Sequence, residues 1–211
     1  MSQKDTKKRI LDAAERLFAS EGFHSTSLRM LTKEAGVNLA AVNYHFGSKE
    51  ELIKAVIERR LLPLNRLRVK RLQEVRERAQ QENRLPGVRE TLLAFFEPTF
   101  AFRKSGKGAQ DFITLVSRSF SEPDDTVRTI FMGLVGKLFQ LFYEVLCEAL
   151  PELSKETIFW RLHFTMGAMG QALHMTGACM LMPPGIKPQK DSEELFDHFV
   201  NFIKSGMEAS V

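Results

Sequence analysis

A chain of 211 residues is long enough for one large domain, or for a small domain joined to a larger one. Its 44% hydrophobic and 27% charged residues suffice for a core and a soluble surface. The longest apolar runs are interrupted by charge and the N-terminus lacks an apolar signal region, so we expect a cytoplasmic protein without a membrane span. Cys147 and Cys179 lack the paired spacing of a zinc or redox motif, so we expect both to be buried apolar side chains.

The net charge of +4 is unevenly distributed along the chain. Residues 1–85 contain 18 Lys or Arg and 11 Asp or Glu, a balance of +7, whereas residues 86–211 contain 12 and 15, a balance of −3. A basic N-terminal part followed by a slightly acidic remainder is typical of a nucleic-acid-binding protein with a separate second module.

The first helix is predicted from about Thr6 to Ser20. Its buried stripe repeats at helical spacing and consists of Ile10, Ala13, Ala14, Leu17 and Phe18. Gly22 ends the helix, and Phe23 is expected to pack back onto it. The basic residues before the stripe form either a flexible arm that approaches phosphate or a solvated charged terminus; these residues are Lys4, Lys7, Lys8 and Arg9.

Two short helices follow, separated by a turn at Gly36. Thr26 is predicted to cap the first of them, with Ser27 and Arg29 in its first turn, where free N–H groups and hydroxyls favour a phosphate. Gly36 can adopt the left-handed conformation that ends a helix. Asn38 is a favourable cap for a second helix over 39–46. Two helices joined by a short turn that contains glycine predict a helix-turn-helix.

One face of the second short helix has the chemistry of base recognition. It carries Leu39, Ala40, Asn43 and Tyr44 and no Asp or Glu. Small residues allow close approach to the major groove, and an asparagine amide can contact adenine in a bidentate manner. Tyr44, His45 and Lys49 are expected at phosphates, where they would fix register. The alternative is a helical hairpin that binds no nucleic acid.

The rest of the chain predicts helices only, so the fold class is all-α. Ser48 and Glu51 form a capping box that starts a helix running to about Leu62, where Pro63 kinks or interrupts it. A loop over 83–87 precedes further helices. We expect an N-terminal three-helix DNA-binding domain over 1–60 and a helical domain over 61–211, for which the resemblance described next implies ligand binding and dimerisation.

The segment RILDAAERLFASEGFHSTSLRMLTKEAGVNLAAVNYHFGSKEEL resembles the N-terminal DNA-binding domain of the TetR family of repressors. The resemblance covers Arg9 to Leu52 without a gap and includes ILDAAERLF, EGF, AGV and YHFGSKEEL. Within the family, AGVNLAAVNYHFGSK is most similar to the branch typified by PsrA, a regulator responsive to long-chain fatty acids. Many family members have an aromatic residue where this chain has Asn43, so the role of Asn43 rests on its own amide.

Two features of the C-terminal part carry further expectations. Small residues in the helix from Lys155 and an apolar stripe on the last helix are suited either to a two-fold dimer or to packing within the chain. The resemblance implies dimerisation through the last two helices, and the residues predicted at the interface are Trp160, Phe164, Ala168, Phe196, Phe199 and Ile203.

The second feature is a concentration of Phe and Met, which suits either an apolar pocket or a filled core. The resemblance implies a pocket. FWRLHFTMGA over 159–168 is similar to the corresponding helix of the PsrA branch, and this similarity implies a long acyl chain or its coenzyme A thioester as inducer. The residues predicted to line the pocket are Phe112, Val116, Phe139, Phe142, His163, Met166 and Met169. His163 and His174 share a helix face without a third metal ligand at suitable spacing, so no metal or other cofactor is expected.

Three functional hypotheses follow. The first is a homodimeric transcription regulator, in the family's usual form a repressor, that an apolar effector releases from a palindromic operator in double-stranded DNA. The second is a DNA-binding regulator with a filled C-terminal core and no effector. The third, an enzyme or carrier, is weakly supported because the chain has no nucleophile elbow, phosphate loop or distinctively spaced carboxylate pair.

Overall fold

The computed structural model describes residues 3–120, 125–174, 183, 185 and 192–210, and all regular secondary structure in this part of the chain is α-helical. This confirms the predicted fold class. In chain order the helices are α1 (Gln3–Glu21), α2 (Leu28–Ala35), α3 (Leu39–Phe46), α4 (Lys49–Gln81), α5 (Val88–Arg103), α6 (Lys107–Ser119), α7 (Thr126–Ala149), α8 (Lys155–His174) and α9 (Ser192–Glu208).

The chain forms two compact units. Unit 1 comprises Met1–Leu64 and Arg103–Gly136, and unit 2 comprises Asn65–Phe102 and Lys137–Val211. The predicted division after residue 60 assigned 103–136 to the C-terminal domain, whereas these residues cluster with the N-terminal helices. As a division between functions, the boundary at residue 60 stays a prediction.

Contacts between α1 and α6 explain this clustering. Arg118, in the last turn of α6, donates from Nη1 to the carbonyl oxygens of Ala19 at 3.1 Å and Ser20 at 2.6 Å. A cation at the C-terminus of α1 satisfies carbonyls that lack intrahelical partners. No sequence pattern indicates this contact, because the partners are 98 and 99 residues apart.

Two predicted helix boundaries are wrong. Helix α1 begins at Gln3 rather than near Thr6, so the basic residues from Lys4 to Arg9 are helical and do not form a flexible arm. Helix α4 continues through Pro63 to Gln81. A proline inside a helix costs about 3 kcal/mol, but Leu61 and Leu64 on either side of it are buried. Their packing outweighs the lost backbone hydrogen bond.

The core of unit 1 is built from the predicted apolar stripes. Phe18 is fully buried with its ring centroid 5.5 Å from that of Phe23, as the glycine-terminated first helix predicts. Burying one such side chain stabilises the fold by about 1.5–3 kcal/mol. The other buried apolar residues of α1 to α4 in this unit are Ile10, Leu11, Ala13, Ala14, Ala19, Leu31, Ala35, Val42, Leu52, Ile53, Val56, Ile57, Leu61 and Leu64.

A buried carboxylate in unit 1 is paired with two arginines. Glu15 is only 2% exposed. Its carboxylate accepts hydrogen bonds from Arg59 and from Arg60, the latter at 2.8 Å from Nε. Arg59 also donates to Asp12 at 2.6 Å. The hydrogen bond to Glu15 raises the pKa of Arg60. This buried charge is therefore matched by opposite charges within bonding distance, as a buried ion requires.

The core of unit 2 is an aromatic cluster. Phe95 and Phe142 stack with ring centroids 4.0 Å apart, and Phe96 meets Phe142 edge to face at 5.6 Å. Phe199 of α9 completes the cluster at 5.1 Å from Phe96. Such pairs contribute about 0.5–1.5 kcal/mol each beyond the burial of their surface. Helices α5, α7 and α9 are thus held together by ring packing.

Helix α7 is long and apolar enough, by length and composition alone, to cross a membrane. Lys137 and Glu144 interrupt its apolar residues, as predicted from the sequence. Its Phe142, Val145 and Leu146 are fully buried in unit 2, although only 22% of its apolar stretch is buried. One such helix is weak evidence for a span, and the absence of a membrane partner stays a prediction.

Candidate nucleic-acid interface

The turn between α2 and α3 has the conformation predicted from Gly36. Gly36 adopts φ 60° and ψ 42°, the left-handed region, and its N–H donates to the carbonyl of Lys33 at 3.2 Å. The next N–H, that of Val37, donates to Thr32 at 3.0 Å. These bonds satisfy the free carbonyls at the end of α2 and reverse the chain within two residues.

Arg9 of α1 holds the same turn from outside. Its Nη2 donates to the carbonyl oxygens of Ala35 at 2.6 Å and of Gly36 at 2.9 Å. A Cβ at position 36 would lie 2.5 Å from this Nη2. Glycine is therefore required both for its backbone conformation and for the approach of Arg9. Sequence reasoning placed Arg9 either in a flexible arm that approaches phosphate or in a solvated terminus, and it missed this role, which no local pattern indicates.

The cap of α2 is Ser27, so the prediction of Thr26 as the cap is wrong. Ser27 has extended backbone, and its hydroxyl accepts the N–H of Met30 at 3.2 Å. Thr26 is buried and donates its hydroxyl to the carbonyl of Gly22 at 2.7 Å. Its side chain is committed to the loop after α1, so Thr26 leaves the set of proposed DNA contacts. Ser27 and Arg29 are exposed at the start of α2, as predicted.

Helix α3 is capped as predicted and exposes the face proposed to read bases. Asn38 accepts the N–H of Ala41 at 2.8 Å, and Val42 is buried beneath the helix. Leu39 is 49% and Tyr44 73% exposed. Ala40 and Asn43, which complete the face, are also exposed. Two apolar groups, an amide and a phenol thus face outward from a helix that contains no acidic residue.

The phosphate contacts predicted after Tyr44 are more constrained. His45 is half-buried, with its ring centroid 5.2 Å from that of Tyr44. The Lys49 ammonium lies 4.5 Å from the centroid of the Phe23 ring and donates to the carbonyl of His24 at 3.3 Å. Lys49 is therefore anchored on the unit 1 core, and its contact with a phosphate stays a prediction.

Ser48 caps α4 through its hydroxyl, which accepts the N–H of Glu51 at 3.1 Å. Gly47 before it adopts φ 75° and donates its N–H to the carbonyl of Asn43 at 2.9 Å. These bonds fix the end of α3 and the start of α4. The predicted boundary at Ser48 is therefore confirmed.

The predicted pocket residues are divided between the two units, and the pocket stays a prediction. Phe112 and Val116 belong to unit 1, and Phe142 is buried within the aromatic cluster of unit 2. Phe139 helps to line an open groove of about 440 Å³. His163 is exposed and rests on the Phe159 ring at 4.1 Å. Met166 and Met169 are half-buried on α8. The methionines predicted near them at 175, 180 and 182, and Cys179, lie outside the described residues.

The predicted interface residues divide into two groups. Phe164 is 71% exposed, and Trp160 stacks with it at 6.4 Å between ring centroids. Phe199 and Ile203 are buried within their own chain, which leaves them little surface for a partner. Their assignment to a dimer interface stays a prediction. Periodicity identified an apolar stripe but not its partner, and Phe96 and Phe100 of α5 cover it. Phe196 is half-buried against Phe100, and Ala168 is half-buried on α8.

Among the described residues, no group of three or more His, Cys, Asp or Glu is placed to hold a metal ion. Cys147, which we expected to be buried, is half-buried on α7 and carries a free thiol.

Comparison with known proteins identifies the family of this chain. Residues 10–56 match a family model described as bacterial regulatory proteins, tetR family, and residues 93–206 match one described as tetracyclin repressor-like, C-terminal domain. The second match alone spans more than half of the chain.

Individual relatives agree with these matches. The HTH-type transcriptional regulator LmrA of Bacillus subtilis is 29% identical over 74% of this chain and 69% of its own length. The uncharacterized HTH-type transcriptional regulator TtgW of Pseudomonas putida is 39% identical over 29% of this chain and 46% of its own. The match thus spans less than half of TtgW. The crystal structure of PfmR, a TetR family transcriptional regulator from Thermus thermophilus, shares the fold with a TM-score of 0.63 at 20% identity, covering 95% of this chain and 100% of PfmR.

Proposed function

Because this chain belongs to the TetR family of transcriptional regulators, we propose that it acts as a homodimeric repressor that an apolar effector releases from a palindromic operator. Family membership makes it a DNA-binding regulator rather than an enzyme. The homodimer, the sign of regulation, the effector and the cytoplasmic location are the proposed parts.

The observation that carries this proposal is the exposed face of α3. Leu39, Ala40, Asn43 and Tyr44 face outward from a helix capped at both ends. Asn43 is in our proposal the residue that reads adenine, and Leu39 and Ala40 contact thymine methyl groups. Ser27 at the start of α2, together with Arg29, Tyr44, His45 and Lys49, contacts phosphates and fixes the register of α3 in the major groove.

A short recognition helix contacts few base pairs, so we propose that two copies act together. Two α3 helices about 34–36 Å apart would read half-sites one helical turn apart. The surface we propose for dimerisation comprises the exposed rings of Trp160 and Phe164 on α8 and Phe202 on α9. Large exposed aromatic groups at this density favour an interface over a solvated surface.

The proposed effector binds among the C-terminal helices and favours a form of the dimer whose α3 spacing no longer matches the operator. It releases DNA only to the extent that it binds this form more tightly than the DNA-bound form. The similarity of AGVNLAAVNYHFGSK and FWRLHFTMGA to the PsrA branch supports a long-chain fatty acid or acyl coenzyme A thioester as the effector.

One observation favours a second function, a regulator without an effector. Phe95, Phe142, Phe96 and Phe199 fill the centre of unit 2 with contacting rings. A filled core leaves no ready-made site for an apolar molecule. Thermal unfolding with a library of lipids and apolar drugs distinguishes the two functions, because an effector that binds the folded state raises its melting temperature.

Selection of bound DNA from a random pool tests the main proposal. We expect an inverted repeat whose half-site centres lie one helical turn apart, retarded in gels as a two-to-one complex of protein and duplex. Recovery of no preferred sequence, or a one-to-one complex on a single half-site, would contradict it. Genes beside the selected sites would then give the sign of regulation through a reporter assay.

A further inference from the structure

Arg68 is a buried cation in unit 2 with no acidic partner among the described residues. Only 5% of it is exposed. Nε donates to the carbonyl oxygen of Phe95 and Nη1 to Oδ1 of Asn65, both at 3.2 Å, and Nη2 donates to the hydroxyl of Thr99. All three acceptors are neutral. No ion pair of Arg68 occurs in the described part of the chain.

The Arg68 guanidinium remains charged at neutral pH. Burial lowers its pKa to about 10, which still lies well above neutrality. A buried charge is costly unless an opposite charge lies close to it. The other buried charge of comparable depth, Glu15 in unit 1, has two arginine partners. Arg68 has lost its contact with water in the same way, but no opposite charge lies beside it among the described residues.

Arg68 also retains donor capacity. A guanidinium carries five N–H donors, two on each terminal nitrogen. Each nitrogen of Arg68 has one acceptor among the described residues, so one hydrogen on Nη1 and one on Nη2 have no acceptor there. Two parallel N–H donors on one planar fork match the two oxygens of a carboxylate or phosphate.

Beside its three polar acceptors, the Arg68 guanidinium is flanked by an aromatic ring. Its central carbon lies 4.8 Å from the ring centroid of Phe95, which stacks on Phe142. An anion that reaches Arg68 gives up its water for a buried position. We therefore expect it to be attached to an apolar body, whose burial adds to the free energy of pairing with the guanidinium.

We propose that Arg68 is the head-group contact of the effector, and that the effector is an apolar molecule carrying a single carboxylate or phosphate. The inference rests on the proposed effector control and adds its chemical class and its anchoring residue. Paired with the anion, Arg68 would gain the opposite charge that the described residues of its own chain do not provide.

Matched twelve-carbon probes test the head group. Isothermal titration of the full-length protein with dodecanoate, dodecyl phosphate, dodecanol and dodecylammonium, all below their micelle concentrations, measures each affinity. We expect at least one of the two anions to bind more than tenfold more tightly than dodecanol, and dodecylammonium to bind most weakly. The stronger anion distinguishes a carboxylate from a phosphate effector. Equal affinity for the anions and dodecanol, or no binding of either anion, would overturn the proposal.

Three variants locate the contact. Arg68→Met should bind dodecanol as before but lose the preference for the anion. Arg68→Lys, which keeps the charge and loses the planar fork, should reduce that preference at least threefold. Arg71→Met is the control, because Arg71 lies on the same helix and pairs with Glu97 at 2.6 Å; it should keep the full preference. A preference unchanged in Arg68→Lys, or lost equally in Arg71→Met, would contradict the assignment, even if Arg68→Met does not fold.

Gel retardation with the selected operator and no ligand separates this inference from the proposed function. Operator binding without head-group preference would remove only the role of Arg68. Anion binding through Arg68 without retardation of any selected duplex would remove only the DNA-binding proposal.

Discussion

The helix-turn-helix segment and the aromatic cluster of unit 2 are stabilised by contacts of very different range. In the first, three polar side chains cap helices. Each accepts a hydrogen bond from the N–H group three residues further along the chain, and the three caps are Ser27, Asn38 and Ser48. In the second, rings from α5, α7 and α9 meet, as Phe96 does with Phe142 and Phe199. Local caps set the direction of a helix with little burial, whereas the cluster depends on packing between distant segments. The first region exposes the face proposed to read bases, and the second contains the buried Arg68, which has no acidic partner among the described residues.

The largest expected effect is on the cluster. Phe142→Ala removes a fully buried ring that touches Phe95 and Phe96, and we expect the free energy of unfolding to fall by about 3–5 kcal/mol. Urea unfolding followed by circular dichroism measures this loss. Phe120→Ala deletes the same group from an exposed site and should cost less than about 1 kcal/mol. Similar losses for the two variants would mean that ring packing does not hold unit 2 together.

A smaller effect is expected at the reading face. Asn43→Ala should weaken binding to the selected operator by about 1–3 kcal/mol and relax the base preference at one position, while the free energy of unfolding stays unchanged because the side chain is exposed. Fluorescence anisotropy with the operator and its single-base variants measures both. Gln73→Ala, which removes an exposed amide from α4, should change neither quantity. An unaltered base preference in Asn43→Ala would remove Asn43 from the reading face.

The turn between the two short helices comes next. Gly36→Ala places a side chain in the left-handed region, at a cost of about 1–2 kcal/mol. The added Cβ would also lie 2.5 Å from Nη2 of Arg9, so Arg9 must move away. We expect lower stability in urea and weaker operator binding together. Gly133→Ala is the control, because no atom lies within 4 Å of the added Cβ and alanine favours a helix interior. If Gly36→Ala proved as stable as Gly133→Ala, neither constraint at the turn would be real.

The smallest effect concerns a phosphate contact. Lys49→Ala should weaken binding to all DNA sequences similarly. It should also reduce, by about one, the steepness with which the logarithm of the binding constant falls with the logarithm of the salt concentration. Titrations over a series of salt concentrations measure this slope. Lys54→Ala, an exposed lysine of the same helix paired with Glu51 at 3.9 Å, should leave it unchanged. A strongly sequence-selective loss in Lys49→Ala would mean that Lys49 contacts bases.

Sequence reasoning was most successful where structure is local. The turn at Gly36, the caps at Asn38 and Ser48 and the buried stripe of α1 all follow from residues within a few positions of one another. The choice of Thr26 over the adjacent Ser27 failed because either hydroxyl can cap, and only the fold shows that Thr26 is buried. The prediction that the helix ends near Leu62 failed for the opposite reason. Packing between helices outweighed the local tendency of Pro63 to end a helix.

The sequence alone did not predict whether an apolar helix face packs against its own chain or remains exposed. The spacing of Phe196, Phe199 and Ile203 marks a buried stripe correctly, but it does not say whether the covering surface comes from the same chain. The role of Arg9 at Ala35 and Gly36 and the burial of Arg68 against α5 were missed because the partners are separated by 26 to 31 residues. No periodic signal links side chains at that distance.

The bond from Arg9 to the end of α2 limits how the recognition element can be transplanted. A fragment that begins at Ser27 would retain both short helices and their caps, yet it would lose the guanidinium that fixes the carbonyls of Ala35 and Gly36. A chimeric repressor that borrows the DNA specificity of this chain should therefore be joined N-terminal to α1. A graft of the two short helices alone would carry the residues proposed to contact DNA on a turn free to change its angle.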